Sequence, residues 1–475
     1  MGVSIDREQF TAAEFAHFGE RLTEQLATLR ALLQEPGFGQ QSPSIGAEIE
    51  LHLVDQYCDP LAVNAAVLAS ANDDRLTLEI NRFNVEANLR PQPLRGRPFS
   101  ALLAELRDAL EVVRRAAALH GARPVMVGIL PTLQSSHLAD ALSDAPRYRA
   151  LSNTLRDMRG APFAVHIKGH ESLSASCDDV ALEGANASFQ VHLRVTPREF
   201  ARTFNAAQLA AGPLLSVCAN SPFFAGKHLW EETRIALFQQ AVDTRVDHKE
   251  RARLPPRVSF GHGWVQDAYA PFAENVALHP ALLPMCSEDT GRLEELRLHH
   301  GTVWNWNRAV FDPDEGGHLR IEHRLLPSGP TTIDMVANAA FTIGLSLGLR
   351  ARMEVVTAIF PFAYAEQNLY RAARHGLQAE LFWPAERAPS PRLRSARELV
   401  RELVPVAMQG LREAGVHEAE AAPLLAIIDE RAQTGRTGAA VQRAWLPAEE
   451  RSSALRALVE RYLAHSFGEQ PVHRW

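Results

Sequence analysis

Four short segments carry side chains that could do chemistry together. In residues 45–53, Ile-Gly-Ala-Glu-Ile-Glu-Leu-His-Leu, a strand turns Glu48, Glu50 and His52 to one face and Ile49, Leu51 and Leu53 to the other. An isolated Glu-x-Glu of this kind reads most simply as a solvated strand edge. The pattern recurs, however: Asn84, Glu86, Asn88 and Arg90 alternate with Phe83, Val85, Ala87 and Leu89, with Glu79 just upstream. Gln190, His192 and Arg194 alternate with Phe189, Val191 and Leu193, and Arg320, Glu322 and Arg324 share a fourth such face. If these strands lie in one sheet, Glu48, Glu50, Glu86, His192 and Glu322 converge. Carboxylate oxygens with an imidazole suit Mg²⁺ or Mn²⁺, ions that also grip phosphates. The arginines would neutralise phosphate or substrate carboxylate by two-pronged contacts. The plainer alternative is a buried Glu–Arg pair, of Glu322 with Arg320 or Arg324, that serves stability alone.

Other chemistries lack their motifs. There is no G-x-x-x-x-G-K-[S/T] or G-x-G-x-x-G loop to cradle phosphate, no H-E-x-x-H zinc helix and no G-x-S-x-G nucleophile turn. His299-His300 reads as a surface pair, and Trp304 and Trp306 as core or sheet-edge aromatics. Of 475 residues 46% are hydrophobic and 22% charged, which suits a globular chain with a large core. Its net charge of −7 offers no basic footprint for nucleic acid. Isolated arginines, Arg90, Arg194, Arg234, Arg320 and Arg324, point instead to a small anionic ligand. The four cysteines are widely spaced, with no metal-ligand spacing, and are expected reduced. Residues 1–10 are too charged for a signal peptide, and no stretch has the ~18 uninterrupted apolar residues of a membrane span, residues 335–349 being the most apolar. A cytoplasmic protein is expected.

The elements that must position these residues follow from hydrophobic period. A leading helix is expected within residues 12–35, strands at 44–55, 76–80, 83–89 and 124–130, and a helix at 99–120. Further on come a helix at 148–158, a strand at 187–195, helices near 198–217 and 229–242, a strand at 319–325 and a helix at 332–349. Strands and helices do not alternate strictly, so the sequence predicts an α+β fold with an antiparallel or mixed sheet. After the loop at Pro389 and Pro391 three helices are expected, at 394–414, 418–433 and 447–467. The division that results is a catalytic unit over residues 1–380 and a helical C-terminal extension over 381–475.

The set Gly46-Ala47-Glu48-Ile49-Glu50, Glu79 and Glu86, the stretch Gly184 to Leu193, and Arg320-Ile321-Glu322-His323-Arg324 followed by Leu326-Pro327-Ser328-Gly329-Pro330-Thr331 resembles the glutamate–cysteine ligase family of the glutamine synthetase superfamily. The resemblance runs from about residue 44 to 349 and extends weakly to residues 434–439. It implies a curved, mainly antiparallel sheet forming a catalytic funnel, with ATP, Mg²⁺ and an amino-acid substrate along it. Glu48, Glu50, Glu86 and Glu322 then match the metal-binding carboxylates, with Glu79 a weaker member. Gln190 and His192 match positions that face metal or ATP, and Arg320 is counted with them on the nucleotide side. Arg324, with Arg234 as a second, matches the arginine that holds substrate carboxylate or phosphate. Two departures bear on the substrate: the first motif is less acidic than in many members, and residues 303–308, Val-Trp-Asn-Trp-Asn-Arg, belong only to some branches. The reaction implied joins glutamate to cysteine through an acyl phosphate formed from ATP. The alternatives are another acid and amine on the same scaffold, a phosphagen-kinase-like phosphotransferase, or a non-catalytic ATP-binding protein.

Overall fold

The computed structural model describes residues 5–289, 291–385, 391–446 and 451–475. Pro389 and the start of the expected last helix, residues 447–450, lie outside the described residues, as do residues 1–4. Seven strands share one sheet: β1 (Ser44–Val54), β2 (Leu76–Leu78), β3 (Asn84–Pro93), β4 (Arg123–Val125), β5 (Phe189–Val195), β6 (Asn307–Asp312) and β7 (His318–His323). Their order is β6-β7-β5-β1-β3-β2, with β4 paired to the end of β1, and every neighbouring pair is antiparallel. The expected α+β class with a mainly antiparallel sheet is what the chain adopts.

Alternation along these strands separates two faces. Ile49, Leu51, Val85, Ala87, Val191, Leu193, Leu319 and Ile321 are fully buried on one of them. They join one apolar cluster with the helices Pro98–Ala118, Pro197–Cys218 and Thr332–Gly348. Each such side chain removed from water contributes roughly 1.5–3 kcal/mol, enough to fix the register of every strand. The helix Thr332–Gly348 starts at an N-cap, Thr331, whose side chain accepts from the Asp334 backbone N–H, and it is apolar all round because it is surrounded on all sides. The helical stretch Thr332–Ile359 is in fact long and apolar enough to cross a membrane by length and composition, but 89% of that window is buried in the protein core.

The helices after residue 395 are Ala396–Glu413, Glu418–Thr434, Gly438–Trp445 and Arg451–Ser466, one more than expected. They do not stand apart from the core. Gly410 packs so closely on the central helix that a Cβ there would come within 2.3 Å of the Gly344 carbonyl oxygen. Arg431, buried, donates to Asp334 at 2.8 Å. From the last helix, the Tyr462 hydroxyl donates to the Met126 carbonyl at 2.9 Å and accepts from Asn220 Nδ2, also at 2.9 Å. The same amide donates to the Ser328 carbonyl at 2.8 Å.

Several local expectations shift. The strand expected over 124–130 ends at Val125, because beyond it the chain leaves the sheet: Gly128 N–H bonds the Asn220 carbonyl and Gly128 C=O accepts from Ala187. The hairpin Phe163–Lys168/Ser172–Cys177, strand β6 and the helix Phe362–His375 were not expected. His299 and His300 are interior, not at the surface. They end the helix Glu294–Gly301, His300 Nδ1 lies 2.7 Å from Asn275 Nδ2, and its ring stacks on Phe272 at 4.5 Å. Burial lowers them to about 4 and about 3, so both are neutral core histidines.

Candidate active site

The polar face of the sheet is assembled by register. Glu50 lies opposite Glu86, Glu48 opposite both Asn88 and Gln190, His192 opposite Glu322, and Glu322 opposite Arg308. Five adjacent strands thus set their acidic and basic side chains in one row. The register shifts at a bulge between Ile45 and Ala47, and Gly46 lies across from His192. His52 does not join the row. It pairs with Val125 of β4, is fully buried, lies 3.0 Å from Asn84 Nδ2 through Nδ1, and is lowered by burial to about 3.

Two groups of candidate ligands result. Glu48, His192 and Glu322 form one, and Glu50, Glu79 and Glu86 the other; in each, one donor atom per residue lies within 4.8 Å of the rest. In the first, His192 Nε2 is 3.1 Å from Glu48 and 3.9 Å from Glu322, yet neither ring nitrogen has an aligned hydrogen-bond partner among the described residues. Burial acts to raise both acids, but His192 outweighs it at Glu48, and Arg308, Arg324 and His192 hold Glu322 well below the usual carboxylate range. In the second group burial and mutual repulsion win. Glu79 is pushed well above its ordinary value by burial and by Glu86 and Glu50, and Glu86 rises to about 7 by burial and by Glu48 and Glu50.

Three carboxyls held this close without a counter-ion are driven toward protonation, and a divalent cation would relieve that. The donor set fits: all-oxygen ligands in one group, two oxygens and an imidazole in the other, suit Mg²⁺ or Mn²⁺. The second shell is already built. Ser188 N–H donates to Glu50 at 2.6 Å and Gln190 Nε2 donates to it at 2.9 Å, while Thr77 and Asn88 donate to Glu86 at 3.0 and 2.8 Å.

The arginines divide by role. Arg324, just past β7, donates to Gln190 Oε1 at 2.5 Å and lies 3.4 Å from Glu322. Burial opposes its charge, but Glu322, Glu50 and Glu48 keep it firmly protonated. Arg234 is buried behind it, paired with Glu232 at 3.1 Å, donating to the carbonyls of Arg324 and Leu325, with Trp306 under its guanidinium at 5.7 Å. Its donors are committed to the protein's own backbone. Arg320 sits opposite Arg194, further along β7 from Glu322, and pairs with Asp312 at 3.3 Å. Trp306 is in the core, as expected.

Two residues of this site had no sequence signal of their own. Arg308 clasps Glu322, and only the β6–β7 register reveals that pairing. Glu183 lies in the turn Val180–Ala185, outside any strand alternation, and burial and Glu50 raise it to about 8 against the pull of Arg324.

Comparison with known proteins gives the family. The profile of glutamate–cysteine ligase family 2 (GCS2) matches residues 44–461. A Rubrobacter xylanophilus protein with the provisional name glutamate–cysteine ligase 2-3 is 28% identical over 440 residues, covering 91% of this chain and 99% of its own. Among solved structures, Francisella tularensis glutamate–cysteine ligase in complex with AMP superposes with a TM-score of 0.56 at 10% identity, covering 90% of this chain and 89% of that one. A bifunctional glutathione synthetase from Pasteurella multocida gives a TM-score of 0.48 at 11% identity, over 94% of this chain and 55% of that one. With its profile match running through every strand of the sheet, the chain belongs to glutamate–cysteine ligase family 2 and is an ATP-dependent carboxylate–amine ligase of that family.

Proposed function

We propose that the amide bond this ligase makes joins the γ-carboxylate of glutamate to the amino group of cysteine, with Mg²⁺ held by the two ligand groups. The observation that carries the metal reading is the side-by-side pair, Glu48/His192/Glu322 and Glu50/Glu79/Glu86, on one sheet face. The family and the Rubrobacter relative's name support the substrate pair. Bound there, Mg²⁺ would neutralise charge on the nucleotide phosphates.

The chemistry has two steps. A carboxylate oxygen of the acid attacks the γ-phosphorus, the bond to ADP breaks, and an acyl phosphate results. The amine nitrogen then attacks the acyl carbon, the bond to phosphate breaks, and the nitrogen sheds a proton. Arg324 supplies positive charge where the phosphoryl group carries its developing charge, or holds the substrate carboxylate. Gln190, bridging Glu50 and Arg324, fixes both side chains relative to each other. Arg320, opposite Arg194 on this face, is the cation assigned to the nucleotide. Four unpaired cysteines accord with a reducing, cytoplasmic setting where free cysteine is available.

The test is ADP formation by purified protein with ATP, Mg²⁺ and glutamate, with and without each of a panel of amines. Cysteine should stimulate turnover and be consumed with it. If another amine stimulates and cysteine does not, the ligase stands and the cysteine assignment falls. If no acid and amine pair stimulates, the glutamate–cysteine assignment falls and a non-catalytic, nucleotide-binding member of the family becomes the better reading.

A further inference from the structure

A third group of ligand-type side chains lies off the sheet. His170, in the turn of the hairpin Phe163–Lys168/Ser172–Cys177, His228, at the end of the short strand Lys227–His228, and Glu231 each place one donor atom within 4.8 Å of the other two. The two imidazole rings stack almost parallel, 4.1 Å between centroids and 14° between planes, so their in-plane lone pairs do not yet converge and the exposed His170 ring must turn for both to ligate one ion. His228 Nε2 is sealed from solvent and has no hydrogen-bond partner among the described residues. Nothing in the ligase chemistry above uses these groups.

The backbone goes to some length to bring them together. Gly169, at the hairpin turn, lies so close to Leu229 that a Cβ would stand 2.4 Å from the Leu229 carbonyl oxygen, so only glycine fits. His170 N–H bonds the Leu229 carbonyl at 3.2 Å and Glu171 N–H bonds the His228 carbonyl at 2.8 Å, while His228 N–H donates to the Glu171 carboxylate at 2.8 Å. On the far side Gly376 packs on Glu231, where a Cβ would come within 3.0 Å of Cγ. Arg443, from the helix Gly438–Trp445, pairs with Glu231 Oε1. An outer-shell cation on one carboxylate oxygen orients the other, as partners of metal ligands commonly do.

We propose that His170, His228 and Glu231 form a zinc-class metal site, distinct in ion preference from the two carboxylate-rich groups, that ties the hairpin turn to the segment bearing Glu232 and Arg234. Two imidazoles and one carboxylate favour Zn²⁺ and similar borderline ions over Mg²⁺, whereas a three-carboxylate set favours the reverse. Exposure of His170 leaves an open side for water as a fourth ligand and for entry of the ion.

The experiment uses full-length protein stripped with chelator, returned to excess Mg²⁺ so that the carboxylate groups are saturated, then given Zn²⁺, or Co²⁺ as a coloured probe, and desalted. Wild type and His192→Ala should each retain about one equivalent, with the absorption of a histidine-ligated Co²⁺, and wild type should melt at a higher temperature with Zn²⁺ than without. His170→Ala and the conservative His228→Gln should bind at least about 10-fold more weakly and lose the Zn²⁺-dependent rise, while His170→Ala keeps wild-type ADP formation with Mg²⁺ alone. The proposal is overturned if wild type retains no Zn²⁺ over Mg²⁺, if His170→Ala and His228→Gln retain as much as wild type, or if the ion is lost from His192→Ala and kept by His170→Ala.

Discussion

Arg308 donates to both carboxylate oxygens of Glu322, from Nε at 2.5 Å and from Nη2 at 2.9 Å, so Glu322 is shared between a guanidinium and His192, whose Nε2 lies 3.9 Å away. The pairing makes Glu322 structural as well as a candidate ligand, and its two duties separate by measurement.

Glu322→Gln removes the charge and keeps the shape. Turnover should fall by at least about 100-fold at saturating Mg²⁺, since even outer-shell changes cost 10–100-fold at metal sites. The melting temperature should fall too, because Arg308 and Arg324 then lack their buried counter-charge. Loss of stability with near-normal specific activity in the folded fraction would leave Glu322 a salt-bridge partner only.

Gln190→Ala should raise the Mg²⁺ concentration needed for half-maximal activity by about 10–100-fold and weaken acid-substrate binding together, because one amide positions Glu50 through Nε2 and Arg324 through Oε1. A change in only one of the two constants would break the proposed link between the ligand and the arginine.

The pH dependence has a definite sign. Glu86 is raised from 4.5 to about 7, so in the absence of metal the folded chain keeps a proton that the unfolded chain has released. That contribution to stability is complete below about pH 4.5 and disappears as pH rises through 7. Thermal melts with chelator should therefore decline over this window, and Glu86→Gln should flatten the decline. Because the cation must displace the proton, apparent Mg²⁺ affinity should climb across the same range. Equal slopes for wild type and Glu86→Gln would show that Glu86 does not carry this proton.

Arg234→Lys tests support rather than substrate contact. A point charge cannot hold Glu232 and reach the carbonyls of Arg324 and Leu325 at once, so stability should drop by up to about 3–5 kcal/mol, the scale of a broken buried pair. A variant with wild-type melting but weakened glutamate binding would move Arg234 into the substrate site.

How much of this was legible beforehand depended on period. Glu48, Glu50, Glu86, His192 and Glu322 were readable because a strand alternates and each segment repeats the same polar face. The same rule set His52 on that face but could not show that β4 covers the end of β1 there, which only pairing reveals. Glu79 lies one residue beyond β2, its carboxylate accepting from Ile80 N–H at 3.1 Å, so alternation could not settle its direction. His299 and His300 looked superficial because a charged, eight-residue helix hides its burial until its neighbours are known. Arg234 was visible as a cation, but that its donors would meet carbonyls of the β7 end required the tertiary fold.

The hydroxyl of Tyr462 has a consequence for biosynthesis. Residues near 126, 220 and 328 leave the ribosome long before residue 462, yet the Met126 carbonyl and the Asn220 amide meet inside the protein through that one phenol. Until the final helix docks, the Met126 carbonyl lacks the donor that satisfies it, worth roughly 1–3 kcal/mol once buried, while the Asn220 amide keeps the Ser328 carbonyl. A nascent chain halted before that helix would carry every candidate ligand and the whole sheet, yet lack the phenol that joins the two segments beside it.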